Sequence, residues 1–249
     1  ACLMALLRAE LLKWKRSRVW TAILLATAVS PALNAALVWG AGRANPQLEV
    51  PWPDFLGQVG WFAHLMVYPL VYAFVGTYVV AREFQEGTAS NLYALPVSRA
   101  AITLAKVVSA ALVLLVPVIA AVPLAVVAGL PAMDEPPTLD VVLRALALHL
   151  ETGLAQFLLL PVILWLAAWV RSYILPLAAA GFFVVINMAT IFAGEDWFWI
   201  PTAVPAWTAQ ASHAAQIAPH VPDWWLVLPP IFLVFLALTV AWTTRRDIT

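Results

Sequence analysis

Charge is scarce in this chain. Asp, Glu, Lys and Arg together make up 10% of its 249 residues. So few charges could not solubilise a domain of this apolar content, which excludes a water-soluble globular protein. Cysteine is nearly absent: Cys2 stands alone, so no disulfide can form within the chain. Strict alternation of polar and apolar residues is missing, which argues against a transmembrane β-barrel. The chain has no Gly-x-x-x-x-Gly-Lys-Ser/Thr run to cradle a nucleotide. It has no Gly-x-Ser-x-Gly, no His-Glu-x-x-His and no cysteine pair. His64, His149, His213 and His220 are scattered, and none has the neighbours that a metal site requires.

What is present is apolar sequence in long blocks. Hydrophobic residues form 64% of the chain and mean hydropathy is +0.91. Each block approaches the ~20 residues that cross a bilayer as a helix. The reading is an all-α membrane protein with six spans, at about Val19–Trp39, Val59–Val80, Ala101–Gly129, Val141–Val170, Tyr173–Ala193 and Trp224–Trp242. The third is long enough to tilt or bend at Pro117 and Pro123. The cations are sorted by side. Placing both termini in the cytoplasm puts Arg8, Lys13, Lys15, Arg16, Arg18, Arg82, Arg99, Lys106, Arg171, Arg245 and Arg246 inside. Only Arg43 and Arg144 then fall outside. That asymmetry sets the expected orientation.

Residues 1–18 precede the six-span domain of residues 19–249. Leu3, Leu7, Leu11 and Trp14 fall on one helical face, with basic residues around them. This fits an amphipathic helix on the inner leaflet, contacting anionic lipid, and fits equally a basic flank that fixes orientation. Segment 82–99, R-E-F-Q-E-G-T-A-S-N-L-Y-A-L-P-V-S-R, is a long polar interruption on the basic side. Gly87 breaks the preceding helix. Thr88 can cap a short one, Ala89–Leu95, which must end before Pro96. Ser98 can cap the next. The loop 194–222 is rich in Trp and Pro, and reads as interfacial or re-entrant on the outer side, packed against the last span.

Polar residues inside the spans have two readings each. Glu151 is the one carboxylate within a predicted span, and shares a helical face with Asp140 and Arg144. An ion pair in which Arg144 neutralises one acid is the favoured reading, and a role in substrate passage is the other. Thr152, Gln156 and His149 form a second stripe. These, with Asn34 and Asn187, can line a pathway or bond to neighbouring helices.

The segment Glu83-Phe84-Gln85-Glu86-Gly87-Thr88, then Leu92 and Leu95-Pro96-Val97-Ser98-Arg99, with Lys106 beyond, resembles the signature of type-2 ABC exporter permeases. Glu10, Lys13, Trp14 and Arg16 resemble that family's amphipathic N-terminal helix, and Arg245-Arg246-Asp247 its usual end. Size and composition are most similar to the permeases of antibiotic-resistance and lantibiotic-immunity exporters. The resemblance implies a permease in a bacterial cytoplasmic membrane. It would pair with a second permease chain, the same or different, and sit on cytoplasmic ABC ATPase subunits that carry the ATP and Mg. This chain would itself need no cofactor, metal or nucleic acid, and would not be an enzyme. Glu83, Phe84, Gly87, Thr88, Leu92, Leu95, Pro96, Ser98 and Arg99 would form the coupling contact, with Arg171 a second one. The first, second and fifth spans would line the permease–permease interface. The rivals are a secondary transporter, which should show matching broken repeats, an intramembrane enzyme, which should show paired acids, and a membrane anchor for a soluble partner.

Overall fold

Backbone groups in hydrocarbon must be bonded within the segment that carries them, so apolar runs of this length fold as helices. The computed structural model describes residues 2–15, 17–45, 47, 49–94, 96–133, 135–212, 221 and 223–245, without the side chains of Cys2, Leu3 and Tyr93. Arg16, Leu95, Asp134, His213, His220, Pro222, Arg246 and Asp247 lie outside the described residues. Helix α1 (Cys2–Trp14) precedes six helical stretches long and apolar enough to span a membrane. They are α2 (Val19–Ala44), α3–α4 (Trp52–Phe62 and Tyr68–Gln85), α6 (Arg99–Gly129), α7–α8 (Leu139–Phe157 and Leu160–Val170), α9 (Ile174–Ala193) and α11 (Trp224–Arg245). Two short helices, α5 (Ala89–Tyr93) and α10 (Val204–Ala211), sit in the connections. Among the described residues there is no strand.

The second span starts earlier than its hydropathy suggests. Pro51, Pro53 and Asp54 read as a polar connection, yet α3 begins at Trp52. Proline fits the first helical turn, and an acid there meets the positive end of the helix dipole. One turn of π-helix, Ala63–Val67, separates α3 from α4. The fourth span is also broken: Leu158–Leu159 form a turn, and Pro161 lies in the first turn of α8. Pro117 and Pro123, by contrast, leave α6 continuous over 31 residues.

The second span is the hub. Of its apolar stretch 78% is buried, against 22% for α9 and 11% for α11. Tyr68, Tyr72 and Val75 of α4 pack with Val113 and Leu114 of α6 and Leu160 and Leu164 of α8. Gly76 permits this close approach: a Cβ there would lie 2.8 Å from Leu160 Cδ1. Segment 194–212 folds back over α3 and α7 more than over α11. Trp207 is buried there, stacked on Phe198 with ring centroids 3.7 Å apart. Trp197 and Trp199 stay exposed. The loop tryptophans therefore divide between packing and rim, rather than all lying at an interface.

Candidate functional site at the basic end

Helix α4 ends through its glycine. Gly87 has φ +67°, Thr88 N donates to Glu83 O at 2.9 Å, and Gly87 N donates to Phe84 O at 3.3 Å. This pair of bonds is a Schellman termination, which needs a left-handed residue after the cap. The Thr88 hydroxyl donates back to Glu83 O at 3.5 Å and does not cap α5, as its position had suggested. Ser98 does cap the following helix, accepting from Ala101 N at 3.2 Å. Gly87→Leu should cost about 1–2 kcal/mol, the penalty of a left-handed L residue. Gly87→Asn should be nearly neutral, because asparagine tolerates that conformation. Thermal melting of the two purified variants checks the difference.

Next to this turn lies a cluster of four charges, three of them buried and Lys13 half-buried. Lys13 Nζ donates to Glu10 Oε1 at 2.7 Å and to Glu83 Oε1 at 2.6 Å. Lys106 Nζ donates to Glu83 Oε1 at 2.6 Å, to Glu10 Oε1 at 3.2 Å and to Val79 O at 2.8 Å. Glu10, Glu83 and Lys106 are each at most 5% exposed. The cluster is neutral and joins α1, α4 and α6. Burial lowers the pKa of Lys13, but Glu10 and Glu83 more than offset this and hold the ammonium above its ordinary range. Its contribution to stability is therefore complete throughout the neutral range and is lost only at strongly alkaline pH.

This overturns the expectation that Glu83 projects towards a partner. The carboxylate turns inward because two ammonium groups meet it there. The buried face of α1 is likewise Leu6, Glu10 and Trp14, while Leu7 and Leu11 are half-buried and the side chain of Leu3 lies outside the described residues. Trp14 packs on Tyr78 with centroids 4.8 Å apart, and its carbonyl accepts from Trp20 Nε1 at 3.0 Å. Arg82 adds a brace, donating to Glu86 Oε1 and to the Tyr78 hydroxyl.

The remaining signature residues divide between brace and surface. Leu92 packs against the cluster of Leu6, Ile102 and Ala105. Arg99 Nη1 donates to Thr243 O at 3.0 Å and Thr244 O at 3.4 Å, capping the end of α11. Phe84 lies under the Arg171 guanidinium, 5.2 Å from its ring centre, and Gln85 Nε2 donates to Arg171 O at 3.1 Å. Arg171 ends α8 in the left-handed region, with φ 52°. The two basic-end connections thus touch. Gly87, Thr88, Ser90, Asn91, Ala94, Pro96 and Ser98, within and on either side of α5, are exposed.

The intramembrane polar residues bond locally or between helices. Ser30 Oγ donates across to Val59 O at 2.7 Å and Asn34 Nδ2 donates to Ser30 O. Asn187 Nδ2 donates to Leu65 O at 3.2 Å. Thr152 donates to Leu148 O in its own helix. Arg144 pairs with Asp140 as expected, but Glu151 is exposed and accepts from Trp224 Nε1 at 3.0 Å. None of Asn34, Glu151, Thr152, Gln156 or Asn187 lines the large groove of the molecule. That groove, about 610 Å³, is apolar and runs between α2, α4 and α9, past Ala26, Val29, Met66, Leu70 and Leu177.

Residues 6–187 match the family model described as an ABC-2 family transporter protein. The chain belongs to the ABC-2 transporter family. It is a multi-pass membrane protein and a permease component of an ABC transporter, which implies an ABC ATPase partner. The match contains all four charges of the cluster, α5 and Arg171, and stops within α9, before the tryptophan-rich loop. No curated protein matches the chain in sequence. Sequence reasoning missed Lys106 as a site residue of this permease. It enters the sequence reading as an orienting cation and as the far end of the signature, although an ammonium five residues inside the predicted third span is itself the signal.

Proposed function

We propose that this permease forms the membrane half of an ATP-driven exporter in a bacterial cytoplasmic membrane, with its basic end in the cytoplasm. A separate ATPase subunit, holding ATP and Mg, docks on the exposed face of α5 and the neighbouring Arg171 turn. The observation that carries this is the brace: a five-residue helix, too short to be stable alone, follows directly on α4 and packs through Leu92 on Leu6 of α1 and on Ile102 and Ala105 of α6, and the ion pairs of Glu10, Lys13, Glu83 and Lys106 tie those three helices together. A push on that helix reaches three helices at once. Closure of the ATPases then moves the spans relative to one another.

A second permease chain, the same or different, faces the groove of the first, second and fifth spans. Its lining carries no charged side chain, which suits an amphipathic cargo such as a peptide antibiotic or a lipid. The antibiotic-resistance assignment rests on resemblance in size and composition.

Purification from native membranes in mild detergent, with mass spectrometry of bound proteins, tests the reading. An ATP-binding subunit should co-purify, and Asn91→Trp on the exposed face of α5 should remove it. A chain that emerges alone under several detergents would sink the reading in favour of a secondary transporter or anchor.

A further inference from the structure

On the side of α4 away from the apolar groove, the interior is polar and incompletely bonded. His64 sits in the π-turn, fully buried, and neither ring nitrogen makes a hydrogen bond of normal geometry, although the Gln156 side chain lies within reach of the ring. His149 and Gln156 of α7 lie beside it. His149 Nδ1 is 2.9 Å from Ala145 O. A carbonyl only accepts, so Nδ1 carries the hydrogen and Nε2 is a bare acceptor, also unpartnered. Gln156 Oε1 is a third orphan and Thr202 Oγ1, from the 194–212 segment, a fourth. Buried polar atoms without a partner are rare, and rarer in a membrane protein, where lipid supplies none.

Gln156 and Thr202 line one small cavity together with Tyr72, and its volume is about 10 Å³. That is about the smallest such space that holds one water. No carboxylate, thiolate or cation lines it, so a metal or an anion would lack a counter-charge. The site requires a ligand that both donates and accepts. Tyr72 and Tyr68 of α4 and His64 of the π-turn run on from it at four-residue intervals, with ring centroids 5.9 Å and 4.7 Å apart.

We propose that this seam is a bound-water site. An ordered water in the cavity bridges Gln156 to Thr202, and hydration extends along the same seam to His64 and His149. The water joins α7, just before its break at Leu158–Leu159, to the folded-back 194–212 segment. It is the exchangeable hydrogen-bond partner that allows these two elements to shift against α4 without stranding polar atoms.

X-ray radiolytic labelling of the full chain in lipid nanodiscs tests this, because water bound beside a side chain generates hydroxyl radicals in place. Tyr72, His64 and His149 should label several-fold faster than Phe55, which is equally buried but lies in an apolar cluster. Labelling as slow as that of Phe55 overturns the proposal. The double variant Gln156→Leu with Thr202→Val keeps the volume and removes the bridge. It should lower Tyr72 labelling several-fold, and an unchanged rate would overturn the assignment of this cavity. Neither readout depends on an ATPase partner or on transport.

Discussion

Glu83→Ala should destabilise the purified permease by about 3–5 kcal/mol, the cost of stranding a buried partner charge. The variant leaves Lys13 and Lys106 facing Glu10 alone. Lys106 suffers most, since it is buried and its 2.6 Å bond to Glu83 is shorter than its 3.2 Å bond to Glu10. Lys106→Met should cost a similar amount for the opposite reason, leaving two carboxylates to share Lys13. The double variant Glu83→Ala with Lys106→Met keeps one acid and one base, Glu10 and Lys13, 2.7 Å apart. It should recover most of the loss. Thermal melting of the four proteins forms a double-mutant cycle. Costs that simply add would mean that the two side chains are not coupled, and the brace would have to be abandoned. Loss of ATP-driven transport should track the melting, because the same bonds tie together α1, α4 and α6, the helices that α5 follows or packs on.

A second large effect is expected in the groove. Met66 lies on its wall, one residue from the centre of the π-turn. Met66→Asp places a carboxylate where lipid, a second permease chain or an amphipathic cargo would lie. A charge at mid-membrane costs about 2.5–3.5 kcal/mol on insertion scales, so any of these occupants should be weakened by about a hundredfold. Transport should fall steeply while the ATPase subunit remains bound, since the substitution is far from α5. Met66→Leu, close in volume, should transport normally. Wild-type export by Met66→Asp would show that the groove is not used.

The spans and the basic-end turn were legible because their causes are local. Gly87, Pro96 and Ser98 act within a few residues of themselves, and the structure uses the glycine and the serine as chain terminator and cap. The partners of Glu83 were not legible. Lys13 lies 70 residues away and Lys106 lies 23 residues away, and nothing local to segment 82–99 points to either. Without them Glu83 reads as a loop charge. The early start of α3 was hidden for a related reason: two prolines and an aspartate suppress hydropathy while favouring a helical first turn. The π-turn and the break at Leu158–Leu159 each end two residues before a proline, Pro69 and Pro161, whose missing N–H interrupts the helical ladder, but a proline inside an apolar run does not by itself say whether the span breaks, as Pro117 and Pro123 of the continuous α6 show.

The neutrality of the four-charge cluster also dictates an order of events during synthesis. A nascent chain that has emerged only through α5 holds Glu10, Lys13 and Glu83, two acids against one base. The first two spans can be inserted at that stage, but α1 cannot yet settle, because its docking would bury an unbalanced charge. Lys106 completes the set only when the third span arrives. The N-terminal helix is therefore the first element made but is fixed only when the third of the six spans arrives, and its docking reports that half of the spans have been laid into the bilayer.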